Sequence, residues 1–457
     1  MLDNISASIM APTGTRRISM GWDAGARSPS HQIVLASDFS LRSKPRISFA
    51  EHISNYGRLP IGLSLQVAID TVRAANLRGR GGAYFSFARK LEAVARANSR
   101  KAPVIVANGS ESEPLSKKDT FLLRTNPHLV LDGMAIMGSV LGSKNGYLYV
   151  GDKEAALSIG AAIRERRDRG TEELKVVVVE APPGYLSGQE SAVVQRIERG
   201  PAFPQRSSER VAVCGVKGVP TLLSNVETFA QIALIMRFGA DWYRSVGSGS
   251  DPGTRLVTIV GSVDRPGVYE IAPGIRLSSV LREAGAAQAR AVLIGGYFGG
   301  WINASTVLSL DFGMDDVSLG ERRLSFGAGV IGVLSKDTCP VVEAAGMVEY
   351  LAGQSSGQCA PCINGLPEIS TSFARIALSS NVSRGLAELR NVIPLVEGQG
   401  GCQHPDGVIG LVRSTVNNFG DELRLHKSGK CSALGSHRSV LLPASNAVVG
   451  FATAGQN

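Results

Sequence analysis

The sequence predicts an α/β protein that ends in a helical bundle, and three observations carry that reading. Strand and helix patterns alternate from Ile47 to about Arg244, the signature of a parallel or mixed sheet covered by helices. Residues 254 to about 302 then change to short strands joined by tight turns. From about 340 to 426 the apolar residues recur at helical spacing, which reads as packed helices. A chain of 457 residues is too long for one ordinary core, so several packed units are expected.

The elements follow in order. Residues 1–46 are rich in Ser, Gly, Pro and Arg, show no apolar period, and are expected to form a disordered basic tail. The α/β unit covers 47–245. Within it Pro103–Ala107, Gly146–Gly151 and Leu174–Glu180 are short apolar runs expected as strands, while Leu122–Leu141 and Lys153–Arg169 are expected as helices. The next unit covers 254–330. Leu256–Val263 and Arg265–Glu270 read as a hairpin turned by Asp-Arg-Pro-Gly, followed by a short helix over Leu277–Ala284 and a strand at Ala291–Ile294, a β-grasp-like arrangement. The bundle covers 335–426, and 427–457 is expected to be loosely ordered.

Composition narrows the function. Hydrophobic residues are 44% and charged residues 19%, ordinary for a soluble globular chain. The net charge of +9 fits acidic partners or a dinucleotide. Nucleic-acid binding is not expected, because no basic helix, zinc finger or aromatic RNA platform is present. No run is long and apolar enough to span a bilayer, and the N-terminus lacks the order of a secretory signal, so a cytoplasmic location is expected, peripheral to a membrane only through partners. Six cysteines in such a chain point to metal or redox use rather than disulfides.

Five blocks carry chemistry. NLRGRGGAYFS, from Asn76, places Gly79, Gly81 and Gly82 around Arg80, with Phe85 and Lys90 after them. Glycines free backbone N–H groups to approach an anion, and a lysine adds a point charge. NGSESEP, from Asn108, directly follows a predicted strand, where α/β sheets bind ligands. Asn108 can donate to and accept from the edge of a planar ring, and Glu111 and Glu113 can meet sugar hydroxyls. YLSGQESA, from Tyr185, combines a flat ring with Gly188 and Glu190, and PTLLSNVET, from Pro220, offers Asn225 and Thr228. The fifth block is SSGQCAPCING, from Ser355, with Gly401-Cys-Gln-His404 downstream. Cysteines at C-x-x-C spacing converge on one metal or cluster. His404 reads as a helix-start histidine, with a substitute ligand as the alternative. Cys339 reads as packing, and Cys214 and Cys431 have no partner at ligand spacing.

In order and spacing these blocks resemble the flavin subunit of respiratory complex I and its relatives in NAD-reducing hydrogenases and formate dehydrogenases. The family pattern is GLRGRGGAGFP…K, N-A-D-E-x-E-P…K-D, Y-x-x-G-E-E-[TS]-A, P-T-x-x-N-N-V-E-T and S-C-G-x-C-x-P-C-R. The resemblance covers roughly residues 50–425. It implies a Rossmann-like FMN-binding domain, a ligand-binding β-grasp domain and a cluster-bearing bundle. Gly79, Arg80, Gly81, Gly82 and Lys90 would hold the FMN phosphate side. Asn108, Glu111, Tyr185, Gly188, Glu190, Asn225 and Thr228 would line the flavin pocket, with Glu111 and Glu190 as its catalytic carboxylates and Phe85 stacking the NADH adenine.

Cys359, Cys362 and Cys402 would bind a 4Fe–4S cluster, with Ser356 standing where the family has the first cysteine. A labile 4Fe–4S or a 3Fe–4S cluster is therefore expected, an empty structural loop being the alternative. Ser110, Gln189, Ser224, Tyr84 and Leu91 also depart from the family pattern, and the Lys-Pro-Pro-Phe-Pro run has no counterpart near Gln205. The implied activity is electron transfer from NADH through FMN and the cluster to an iron–sulfur or ferredoxin-type partner, itself membrane-associated in some relatives. The alternative is an FMN-carrying electron-transfer or scaffold subunit that has lost NADH, or a binding module without redox function.

Overall fold

In the computed structural model the described residues are 34–35, 45–433 and 439–443, with short breaks at 61, 98, 172–173, 206–208, 287, 314–316, 320–321, 325 and 380. Most of the expected basic tail lies outside them. Its described strand β1 (Val34–Leu35) pairs antiparallel with Tyr269 and Glu270.

The first unit is built on four parallel strands: β2 (Val104–Gly109), β3 (Asn145–Val150), β4 (Lys175–Glu180) and β5 (Thr221–Asn225), in spatial order β4-β3-β2-β5. Alternation along the strands fills both faces. Ile105, Leu148 and Leu222 join the core under the helices Pro127–Leu141 and Val226–Arg244. Val106, Tyr149 and Leu223 face the opposite cluster with Val193 of the helix Glu190–Ile197. The helix expected over Leu122–Leu141 is two helices, Lys118–Thr125 and Pro127–Leu141. Pro127 opens the second and keeps Asn126 out of helical geometry, at φ −129° and ψ 51°.

The chain runs outward from β2 through β3 to β4, then returns to β5 on the other side of β2. Doubly wound sheets bind ligands at the carboxyl ends of strands flanking such a reversal. Asn108 near the end of β2 and Asn225 at the end of β5 stand at that place.

The second unit is a mixed sheet. It orders β1, β7 (Gly267–Ile271), β6 (Arg255–Gly261), β12 (Val330–Leu334), β8 (Ala291–Ile294) and β9 (Gly300–Asn303). The expected hairpin is β6–β7. Three of its strands lie beyond the sequence expectation: β1, β9 and the central β12, which pairs parallel with β6. Val330–Leu334 is an apolar run buried on both faces, so it lacks the alternation that marks a strand. A separate small ladder joins Val317–Leu319 to Arg322–Leu324, the strands β10 and β11.

One face of the mixed sheet packs on the helix Leu277–Glu283. The other, through Leu293, Trp301 and Leu334, packs on the helical bundle. The bundle comprises Pro340–Gly353, Leu366–Ala377, Val382–Val396, His404–Asn418 and Gly420–Lys427. The chain after it is not uniformly loose. Leu441 is fully buried, Tyr297 donates its hydroxyl to the Leu441 carbonyl, and the Glu343 carboxylate accepts from the backbone of Val440 and Leu441. No described helix is long and apolar enough to cross a membrane.

Candidate functional site

The glycine block forms a closed turn between the helices Leu65–Ala74 and Phe87–Arg96. Gly79 donates to the Phe85 carbonyl at 2.9 Å and Phe87 to the Leu77 carbonyl at 2.9 Å, which pins both ends. Gly82 sits at φ +106°, a conformation that L side chains rarely adopt. A Cβ at Gly81 would lie 3.3 Å from that of Asn225. This turn roofs a cavity of about 300 Å³ over the ends of β2 and β5, at the lower end of cofactor-site sizes.

The floor is preorganised. Asn225 caps the helix Val226–Arg244, accepting from Glu227 N, and its amide donates to Asp119 at 2.6 Å. Asn108 donates to the Gly188 carbonyl at 2.8 Å, tying the second block to the third. A Cβ at Gly188 would stand 2.6 Å from Ser110 Oγ and 2.9 Å from Ser112 Oγ, so a side chain there would displace both serines. Lys118 is buried among Asp119 (2.7 Å) and Glu227 (2.9 Å). Burial favours the neutral amine, but the two carboxylates outweigh it and hold its pKa above the ordinary value. Lys90 reaches the cavity from the helix above and donates to the Leu223 carbonyl and to Glu190.

Behind the glycine turn opens a second cavity of about 570 Å³. It shares Gly81, Glu113 and Gly188 with the first and ends at Cys402 and His404. Glu113 stands between the two. Its carboxylate accepts from the Tyr185 hydroxyl and from Tyr297 N, both at 3.0 Å, and burial pushes its pKa up to about 7. Tyr185 packs its ring 4.7 Å from Phe298 and 5.9 Å from His404. On the outer side, the half-exposed Phe85 joins the first cavity to a third of about 860 Å³ and carries the Arg89 guanidinium 5.4 Å above its ring.

The cysteine loop lies beyond the second cavity. Cys359 ends the loop from Ser356, and Cys362 sits in a π-turn, Pro361–Gly365, with its amide bonded to the Cys359 carbonyl at 3.0 Å. Burial raises the Cys359 pKa, yet the N–H groups of Gly401 and Cys362 outweigh this and hold it below the ordinary thiol value. Burial, then the neighbouring Cys359 and Cys402, push Cys362 up to about 12. His404 is buried at the start of its helix. Nε2 meets the Leu351 carbonyl at 2.8 Å, and the buried Nδ1 has no protein partner.

Residues 72–234 match the family described as the Nuo51 FMN-binding domain, and residues 343–426 match the NADH-ubiquinone oxidoreductase-F iron-sulfur binding region. Both matches are to regions of complex I flavin subunits, and they fall on the flavin cavity and the cysteine loop of this chain. Residues 256–294 match an SLBB domain within the mixed sheet. An NADH-quinone oxidoreductase subunit of Rhizobium meliloti (strain 1021) is 28% identical over 371 residues, covering 78% of this chain and 88% of that one. The corresponding NADH-quinone oxidoreductase subunit of Mycobacterium tuberculosis (strain ATCC 25618 / H37Rv) is 29% identical over 379 residues, covering 79% and 84%. Among solved structures, an NAD+-reducing [NiFe]-hydrogenase in its air-oxidized state superposes with a TM-score of 0.74 at 25% identity, covering 84% of this chain. This chain spans 66% of the length of that hydrogenase chain.

The fold brings most of the expected residues together and places several differently. Gly79, Gly81, Phe85, Lys90, Asn108, Gly188, Glu190 and Asn225 line the first cavity. Arg80 contributes backbone only. Its guanidinium turns into the core to the Tyr243 hydroxyl, at 2.8 Å. Thr228 is fully buried and accepts from Arg80 N, so it braces the turn from behind instead of lining the pocket. Gly82 and Tyr185 line the second cavity, not the first. Glu111 is held by its own loop. It lines the first cavity, and its carboxylate accepts from Ser116 Oγ and the amides of Asp119 and Thr120, which ties it to the helix start. The carboxyl that sequence reasoning undervalued is Glu113, two residues on in the same block. Only burial distinguishes it, and burial is not visible in the motif.

The cavities fit the groups the family implies. Gly81 and Gly188 leave room only because they lack Cβ atoms, and the adjoining backbone forms the wall that a flavin phosphate requires. The donor set Cys359, Cys362 and Cys402 fits three corners of an iron–sulfur cluster. Ser356 is half-buried on the same loop.

Proposed function

We propose that the chain oxidises NADH at FMN held in the glycine-roofed cavity and passes electrons through an iron–sulfur cluster to a partner protein. FMN, when bound, accepts a hydride and can release electrons one at a time. The observation that carries the reading is adjacency: the glycine turn and Glu113 line both cavities, and Cys402 lines the second. Gly79, Gly81 and Lys90 hold the phosphate side, and Asn108, Gly188 and Asn225 fix the flavin's orientation. Phe85 offers a flat face for the adenine at the outer cavity. Glu190 pairs with Lys90 and keeps that ammonium at the rim. Glu113, with a pKa near neutrality, is suited to hold or release a proton beside the cavity wall.

In this reading Cys359, Cys362 and Cys402 bind the cluster, with Ser356 the weak fourth position. The mixed sheet with its helix Leu277–Glu283 is a β-grasp unit between the flavin domain and the bundle. The acceptor is an iron–sulfur or ferredoxin-type protein, and any membrane contact runs through partners. The test is anaerobic titration of the FMN-loaded protein with NADH. Bleaching of the yellow colour by about one equivalent is expected for two-electron reduction of one flavin. A yellow protein that dithionite bleaches and NADH does not would reject NADH oxidation while leaving FMN binding in place.

A further inference from the structure

Cys339 and Cys431 look unrelated in the sequence, one a packing residue and the other without a partner at ligand spacing. The fold brings them together at the helical bundle. Cys339 precedes the helix Pro340–Gly353 as its N-cap. Glu422 and His426 lie four residues apart on one face of the helix Gly420–Lys427, and Cys431 follows that helix. The two thiol sulfurs, one carboxylate oxygen and one imidazole nitrogen all lie within 4.8 Å of one another.

We propose that Cys339, Glu422, His426 and Cys431 form a structural zinc site, separate from the iron–sulfur loop. The spacings suit it. Cys339 Sγ lies 3.4 Å from His426 Nε2 and 3.7 Å from Glu422 Oε1, and His426 Nε2 lies 3.4 Å from Glu422 Oε1. Tetrahedral zinc with bonds of about 2.3 Å to sulfur and about 2.0 Å to nitrogen and oxygen sets its ligand atoms roughly 3.3–3.8 Å apart. The histidine is already in the right tautomer. Its Nδ1 lies 3.0 Å from the Ile376 carbonyl, the N–H donor position, which leaves the Nε2 lone pair facing the two sulfurs.

The carboxylate is oriented as well. Arg290 donates to Glu422 Oε2 at 2.6 Å and Ser432 N to Oε1 at 3.0 Å. Charge agrees: two thiolates and a carboxylate against a divalent ion leave one negative charge, and Arg290 sits beside it. Two soft sulfurs and an imidazole in a tetrahedral set select zinc over magnesium or calcium. The site spans the edges of the matched iron–sulfur region, with Glu422 and His426 inside residues 343–426 and Cys339 and Cys431 outside. It would staple the first bundle helix, the last bundle helix and the segment after it to the Arg290 end of the mixed sheet.

Metal analysis of the full-length protein, purified without chelators and supplied with zinc, tests this. Wild type should carry about one zinc per chain, counted separately from iron. Cys431→Ser, at an exposed position tolerant of change, should fall below about a tenth of an equivalent, and His426→Gln likewise. Cys359→Ser, which removes a thiol of the other loop, should keep its zinc. Cobalt(II) bound in place of zinc should show tetrahedral and thiolate charge-transfer bands in wild type and in Cys359→Ser, and lose them in Cys431→Ser. Zinc at background in wild type would overturn the proposal, as would zinc lost in Cys359→Ser but retained in Cys431→Ser. So would iron in place of zinc at this site, or a Cys339–Cys431 disulfide in the unreduced protein, seen as a mass lower by two hydrogens.

Discussion

The flavin cavity and the cysteine loop are built on opposite principles. The cavity is made mainly of backbone: a glycine turn pinned at both ends, strand termini, and asparagines that bond to neighbouring loops. Its sequence departs from the family at Ser110, Gln189 and Ser224, yet the cavity survives, because a replaced side chain at the rim does not remove a wall of N–H groups. The cysteine loop is made of side chains, and each thiolate is a bond to metal. One departure, Ser356, therefore removes a quarter of the donor set. Sites built from backbone tolerate sequence drift, and sites built from side-chain ligands do not.

The largest effect should come from breaking the cavity where it is backbone. Gly81→Val would drive a branched side chain against Asn225. FMN affinity should fall about a thousandfold, roughly 4 kcal/mol, while the circular-dichroism spectrum stays unchanged. A variant that purifies yellow with full flavin would mean the phosphate lies elsewhere.

The complementary change restores a ligand. Ser356→Cys should raise iron and sulfide toward a full 4Fe–4S content and slow cluster loss in air, since a thiolate binds iron better than a serine hydroxyl. The contrast between the two regions collapses if iron is at background in both proteins.

Glu113 belongs to both regions through the shared cavity wall. Burial raises its folded-state pKa to about 7 from an ordinary 4.5. Between these values the folded state binds more protons than the unfolded chain, so stability falls as pH rises through this window. The full change is on the order of 3 kcal/mol. Glu113→Gln should flatten that slope in urea melts at pH 4.5 and 7.5. An unchanged slope would show that the carboxyl is ionised throughout. The smallest effect is expected at the exposed edge: Phe85→Ala should raise KM for NADH about fivefold, roughly 1 kcal/mol, with kcat nearly unchanged. Equal KM values would remove Phe85 from the dinucleotide site.

These differences track what could be read beforehand. The order of the blocks, the alternation of β2 to β4 with their helices, and the helical end were all legible, because local periodicity and turn chemistry report them directly. The cysteines at C-x-x-C spacing were legible for the same reason. Thr228 and Tyr185 belong to the flavin pocket by their motifs, and the structure gives each a different neighbour. A motif fixes which residues travel together along the chain. It does not fix which way a side chain turns once two elements pack.

What the sequence determined by itself, then, is the α/β-to-bundle architecture, the glycine turn and the C-x-x-C loop of Cys359 and Cys362, since local periodicity and short motifs encode each of them. Only the tertiary structure decided that Glu113 is the buried carboxyl between two cavities, that Val330–Leu334 inserts at the centre of the second sheet, and that Cys339 meets Cys431 across the bundle. Those relations join residues far apart in the chain. Burial, register and donor geometry arise only when separate elements close on one another.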